Sequence, residues 1–225
     1  MVQVFILNIE DVDFEELLNA FAGRLPQQAI DKARRFKNQQ DKVRSLCGEI
    51  LSRWAMAEVS GFYPDKVFEC NSNGKPLSGK PDLYFNISHS GDYVVVSVSD
   101  FETGVDIERL RLNKMKVAKR FFSDEEIRNI QMSEEPDARF SRYWSLKEAY
   151  LKYIGTGLTR ELNSFTVKEI KNDSYSISEK DSEIKELKIF HQRINRNYFL
   201  SVCHRAAEKD IWLQHVELSD LEPAK

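Results

Sequence analysis

Gly104-Val105-Asp106-Ile107-Glu108, near the midpoint of a 225-residue chain, reads as a short β-strand with two unlike faces. Val105 and Ile107 alternate with Asp106 and Glu108, so apolar groups point one way and carboxylates the other. Side chains two apart on a strand lie roughly 7 Å apart and parallel, close enough for both acids to reach one hard cation. An edge strand with a solvated acidic face gives the same alternation. The glycine ahead of it reads as a flexible way into the strand.

The sequence on either side repeats one plan. Upstream, helices are expected over 13–23 and from Pro26 toward Phe36, then a longer one over 41–59. Strands are expected at 67–70, 83–88 and 93–98, with Asn73-Gly74-Lys75-Pro76 as a turn and Ser88-His89-Ser90-Gly91-Asp92 as a polar hairpin tip. Downstream, Ser123 with Glu126 is a capping-box signature for a helix to about residue 130, and 132–137 reads as a loop. A helix over 140–154 follows, then strands at 164–170, 175–178, 187–191, 198–203 and 212–216, with turns at 171–173 and 179–186. A long helix followed by turn-punctuated strands thus occurs twice. The fold class is α+β, with an N-terminal subdomain over 1–103, a C-terminal one over 104–225, and a cleft between them as the natural ligand site.

Helix 140–154 carries chemistry as well as packing. Tyr143, Leu146, Ala149, Tyr150, Tyr153 and Ile154 form one apolar stripe at 100° per residue. Glu148 lies nearly opposite, between Trp144 and Lys152 at i±4. An i,i+4 ion pair explains these charges; a third metal ligand with a phosphate-binding lysine explains them too. Two cationic clusters stand out in a chain of net charge −3. One is the basic turn with Lys32, Arg34, Arg35, Lys37, Lys42 and Arg44. The other is the segment 109–121, with Arg109, Arg111, Lys114, Lys116, Lys119 and Arg120 among apolar residues, a surface suited to an acidic protein partner. The Ser-His-Ser tip with its glycine suits a phosphate or ribose.

The bulk properties exclude several classes. With 41% hydrophobic and 31% charged residues the chain is ordinary for a soluble globular protein, and its net negative charge argues against a general nucleic-acid binder. No apolar run approaches the ~20 residues a membrane span needs, and the N-terminus reads as a strand without a leader's basic region. Cys47, Cys70 and Cys203 are widely spaced, which suggests reduced thiols and a cytoplasmic setting.

Five blocks in order, Arg34-Arg35-Phe36, Asn73-Gly74-Lys75-Pro76, Phe85 to Gly91, Gly104 to Glu108 with Arg120-Phe121-Phe122-Ser123-x-x-Glu126, and Trp144-Ser145-Leu146-Lys147-Glu148-Ala149-x-x-Lys152, resemble the signature of the Sfp-type 4′-phosphopantetheinyl transferases. The resemblance spans about residues 30–160. It implies two similar subdomains joined as a pseudo-dimer, with coenzyme A and Mg²⁺ (Mn²⁺ as the alternative) between them. The implied reaction moves phosphopantetheine from coenzyme A to a serine of an apo acyl or peptidyl carrier protein, releasing adenosine 3′,5′-bisphosphate, in a monomeric enzyme without nucleic-acid or membrane partners. Carried over by position, Asp106, Glu108 and Glu148 are the metal-binding acids and Lys152 the pyrophosphate-contacting lysine. Glu148, directly or through a metal-bound water, is then the group that takes the serine proton. Lys75, Pro76, Ser88 and His89, with Lys32, Arg44 and Ser45, fall where the family holds the nucleotide end. The segment 109–121 would dock the carrier. Related enzymes often carry a further basic residue one turn before Lys32; this chain has Ala29, which leaves the 3′-phosphate contacts open. A silent coenzyme A- or carrier-binding module and an Mg²⁺-dependent nucleotide pyrophosphatase are the competing functions.

Overall fold

The computed structural model describes residues 1–171, 174–180, 182–207 and 210–222. The first half runs β1 (Val2–Asn8), α1 (Phe14–Phe21), α2 (Gln27–Arg34), α3 (Gln39–Ser60), β2 (Tyr84–Ser90) and β3 (Tyr93–Ser99). The second runs β4 (Gly104–Arg109), α4 (Met115–Phe121), α5 (Asp124–Gln131), α6 (Pro136–Ile154), β5 (Phe165–Lys171), β6 (Ser174–Glu179), β7 (Ser182–Glu183), β8 (Leu187–Asn195) and β9 (Tyr198–Arg205). Each half is a strand, two short helices, one long helix and then antiparallel strands. In each, the opening strand pairs antiparallel with the closing one, β1 with β3 and β4 with β9. The duplicated α+β plan is therefore present in the fold itself.

Three apolar clusters set the layering. One lies between α1–α3 and the first sheet, and includes Phe5, Leu46, Leu51, Phe85 and Val96. A second lies between α4–α6 and the other sheet, and includes Phe140, Leu146, Tyr150, Val167 and Ile189. The third joins the sheets through their remaining faces: Val2, Val4, Ile6 and Val95 meet Val105, Ile107, Leu200 and Val202. Helices cover the outer faces and the sheets meet inside. The apolar side of the Gly104–Glu108 stretch thus supplies the contact between halves, and its acidic side faces α6.

Local chemistry sets the helix ends. Asp13 and Asn38 accept backbone N–H groups at the starts of α1 and α3. The expected Ser123–Glu126 capping box is formed. α6 begins at Pro136, inside the segment read as a loop, because proline is tolerated in a first helical turn. Glu126 does more than cap. It is fully buried against Lys147 at 2.9 Å, and Lys147 also donates to the carbonyls of Leu162 and Phe165 at 2.8 and 2.7 Å. Removing one partner of such a buried pair typically costs about 3–5 kcal/mol, so this one ties α5, α6 and the start of β5 into a rigid unit.

Other expectations need correction. The segment 67–70 forms only an isolated bridge, Cys70 to Pro76. The loop before it is held instead by Arg53, which donates to the carbonyls of Pro64 and Lys66 and stands over the Phe68 ring. The hairpin tip is Gly91-Asp92 alone, because the ladder with β3 continues through Ser90. β10 (Ile211–Val216) returns to pair in parallel with β1, so these residues belong with the first sheet and not with a subdomain over 104–225. The turn expected at 171–173 falls largely outside the described residues, as does Asp181 within 179–186. Among the described residues no helix is long and apolar enough to cross a membrane.

Candidate active site

The two sheets meet at a seam that is not a backbone ladder. β2 and β4 are the facing edges, and side chains replace the missing bonds: the N–H groups of Val105, Ile107 and Arg109 donate to Asn86 Oδ1 (2.9 Å), Ser88 Oγ (3.2 Å) and Ser90 Oγ (3.0 Å). These acceptors sit at every second residue of β2, so they share one face. The same serines orient the acids. Ser88 donates to Asp106 Oδ1 at 2.8 Å and Ser90 to Glu108 Oε1 at 3.2 Å.

α6 crosses β4 at very close range. A Cβ on Gly104 would stand 2.2 Å from the Ala149 carbonyl oxygen and 2.3 Å from the Tyr153 nitrogen. The glycine serves this approach, not strand flexibility. A loop of the first half then fixes the end of α6: Asn71 and Asn73 donate to the Gly155 carbonyl, and Lys75 Nζ donates to the Tyr153 carbonyl at 3.2 Å. These donors satisfy carbonyls that a helix end leaves open.

Between α3 and α6, above the seam, lies a cleft of about 600 Å³. Asp106, Glu108, Glu148 and Lys152 line it together with Lys32, Arg44, Ser45, Pro76, Ser88 and His89. Ten of the sequence-derived site residues therefore share one wall system. Lys75 does not join them with its ammonium, which is taken by Glu102 (2.5 Å) and by the Thr103 and Tyr153 carbonyls. Ala29 is buried in α2.

Lys152 Nζ lies 2.7 Å from both Asp106 Oδ1 and Ser88 Oγ. Ser88 thus donates once and accepts twice, the full capacity of a hydroxyl. Arg111 Nη2 donates to Glu108 Oε2 at 2.7 Å. Arg44 pairs with Asp41 and donates to the Gly91 carbonyl at 2.8 Å. Burial pushes the Glu148 carboxyl up to about 7, and the Asp106 and Glu108 charges add to this against the pull of Lys152 and Arg111. Burial likewise raises Asp106, with Lys152 opposing. His89 is lowered, by desolvation first and then by the Lys152 and Arg44 charges.

The donor set is one that a divalent cation could complete. Among the described residues no group of three or more His, Cys, Asp or Glu is arranged as a ready cage. Mg²⁺ does not need one, since it is commonly held by one or two carboxylates with substrate phosphates and water completing the shell. Asp106 Oδ2 is buried and has no hydrogen-bond partner, and Glu148 is destabilised as an anion by its two acidic neighbours. A cation would relieve both. The residues fit the group.

The sequence pattern matches two family descriptions, "4′-phosphopantetheinyl transferase, N-terminal" over residues 14–100 and "4′-phosphopantetheinyl transferase superfamily" over 102–203. The chain is 31% identical to the 4′-phosphopantetheinyl transferase psf-1 of Bacillus pumilus over 98% of this chain and 96% of that one. The chain belongs to the 4′-phosphopantetheinyl transferase superfamily. This transferase is also 36% identical to a 4′-phosphopantetheinyl transferase of Bacillus subtilis over 77% of its own length and 79% of the relative's. A holo-[acyl-carrier-protein] synthase structure from Neisseria meningitidis overlays 46% of the transferase and 96% of that chain, at 18% identity and a TM-score of 0.40.

Sequence reasoning missed several residues of the transferase's cleft. Asn86 and Ser90, at the seam below it, were not singled out, Asn86 lying in the strand read over 83–88 and Ser90 in the tip read over 88–92; their period-two spacing with Ser88 was the available signal. Arg111 was grouped with the docking segment. Glu49, partly buried beside Arg53 at 3.1 Å, also lines the cleft. On α4, Lys116, Lys119 and Arg120 are exposed while Ala118 is buried beneath.

Proposed function

We propose that the cleft binds coenzyme A and that the enzyme transfers its phosphopantetheine to a serine hydroxyl of an apo acyl or peptidyl carrier protein. The observation that carries this reading is the convergence of Asp106 and Glu108 from β4 with Glu148 and Lys152 from α6 across one cleft. The cations Lys32 and Arg44, with Ser45, Pro76 and His89, line the α3 side and suit the nucleotide with its phosphates. Lys75 supports the site by holding the end of α6.

In the step itself the serine oxygen forms a bond to the phosphorus that carries pantetheine. The bridging P–O bond of the diphosphate breaks, and adenosine 3′,5′-bisphosphate leaves with the electron pair. Glu148 accepts the serine proton as general base; without a cation, burial sets its carboxyl at about 7, and a bound cation would lower it. Lys152 places a fixed positive charge where the leaving phosphate gains negative charge. Asp106, Glu108 and Glu148 would hold Mg²⁺ or Mn²⁺, which when bound neutralises charge on the diphosphate oxygens.

The carrier docks on α4 through Lys116, Lys119 and Arg120. Both halves of one chain build the cleft, so a monomer is the active unit. Three free cysteines accord with a cytoplasmic setting. Calorimetric titration of coenzyme A tests the cation assignment without relying on turnover. Wild type should bind more tightly when Mg²⁺ is added, whereas Asp106→Ala should bind with an affinity that Mg²⁺ no longer alters. An undiminished Mg²⁺ response in the variant would place the cation elsewhere.

A further inference from the structure

Arg111 follows β4 in the cationic segment, yet its guanidinium turns into the cleft and not onto the exposed face of α4. It is fixed at three points. Its backbone N–H donates to Ser141 Oγ at 2.9 Å, its Nη2 to Glu108 Oε2 at 2.7 Å, and its guanidinium carbon stands 4.8 Å over the Trp144 ring. A guanidinium carries five N–H donors in a planar fork, and only one of them is needed to hold Glu108. The side chain keeps 39% of its surface open. A stacked, oriented and partly exposed Arg of this kind is built to receive an anion bidentately.

The position along the cleft indicates which anion. Asp106 carries Lys152, and Glu108, two residues on, carries Arg111. Alternate residues of a strand lie roughly 7 Å apart, so the two cations stand in sequence along the site and can serve adjacent phosphates. The nucleotide-side groups Lys32, Arg44 and Ser45 come from α2 and α3, across the cleft from α6. Trp144, under Arg111, also lines a second cavity of about 340 Å³ together with Phe121, Leu162 and Asn163, with Arg120, Arg160 and Glu161 at its charged parts. A long, largely uncharged arm leaving the diphosphate has room on that side, past Arg111.

We propose that Arg111 contacts the phosphate that is transferred, the one bearing pantetheine, while Lys152 serves the phosphate that departs with the nucleotide. This rests on the coenzyme A reading above. It removes Arg111 from the carrier-docking surface and makes it a substrate-contacting residue.

Steady-state kinetics with coenzyme A, combined with inhibition by adenosine 3′,5′-bisphosphate, tests it, because the inhibitor lacks the transferred phosphate. In Arg111→Gln, kcat/KM for coenzyme A should fall about 10- to 100-fold, the value of a lost charge-assisted contact. The inhibition constant of the bisphosphate and the KM for carrier should each stay within about twofold, since neither ligand meets Arg111 directly. Arg111→Lys should recover part of the loss, since charge returns without the fork. Equal weakening of coenzyme A and bisphosphate would overturn the assignment in favour of a nucleotide contact. A raised carrier KM with normal coenzyme A kinetics would overturn it in favour of docking. Should Arg111→Gln melt early, the same ratio read in Arg111→Lys decides. Wild-type enzyme that transfers nothing would sink the coenzyme A reading itself; transfer with the wrong ratio sinks only the role of Arg111.

Discussion

Gly104→Ala is expected to inactivate the enzyme although it removes no titratable group. The added methyl carbon would lie 2.2 Å from the Ala149 carbonyl oxygen, 2.3 Å from the Tyr153 nitrogen and 2.8 Å from the Tyr153 Cα. All three atoms are backbone, so no rotamer change relieves the clash and α6 itself must move. α6 is held by the Glu126–Lys147 pair on one side and by Asn71, Asn73 and Lys75 at its end, so it moves at a cost. Overpacking of this kind costs about 1–3 kcal/mol, which for a chain of this size lowers Tm by roughly 2–12 °C. The functional loss should be larger in proportion. Displacing Glu148 and Lys152 by about 1 Å from Asp106 and Glu108 is enough for on the order of a hundredfold in rate. Melting curves and kcat measured on the same preparation check this. A variant with wild-type kcat would mean that the close crossing of α6 over β4 is not what aligns the site.

Glu148→Gln should be close to inactive and, with divalent cations chelated, more stable than wild type above neutral pH. The Glu148 carboxyl is raised from 4.5 to about 7, by burial first and by Asp106 and Glu108 next. A raised carboxyl binds its proton more tightly folded than unfolded, so between about pH 4.5 and 7 stability falls as pH rises. Above pH 7 the whole penalty is present, at most about 3 kcal/mol for a shift of this size. Glutamine removes it. Thermal melts from pH 4 to 8 should coincide at the acid end and diverge upward for the variant, by up to several degrees at pH 8. A variant that melts below wild type at pH 8 would show that Glu148 is a stabilised anion without any bound cation, contrary to the geometry.

The main elements were legible because their periodicities are plain. Alternation marked β4, runs of β-branched and aromatic residues marked β2 and β3, and the 100° stripe marked α6. The duplicated order of helix and strand was visible as well. What periodicity does not carry is the distance between elements. Gly104 looked like a flexible residue because one strand's pattern says nothing about a helix pressed on its backbone. Ser88 and Ser90 looked like a loop because three polar residues before a glycine resemble a turn, whereas here they replace the ladder between two sheet edges. Arg111 was swept into a cationic segment because a run of like charges does not reveal which member turns inward. Lys75 shows the same gap, since its place beside the cleft is legible and its commitment to the end of α6 is not. β10 was expected as a strand, but its return to β1 depends on which edge is open, and only the assembled sheet displays that.

Intact-mass measurement of an apo carrier protein, incubated with this enzyme, coenzyme A and Mg²⁺, tests the central claim most directly. Each carrier should gain one phosphopantetheine, matched by one adenosine 3′,5′-bisphosphate released, with no gain for Asp106→Ala. Coenzyme A consumed while the carrier mass stays unchanged would contradict it.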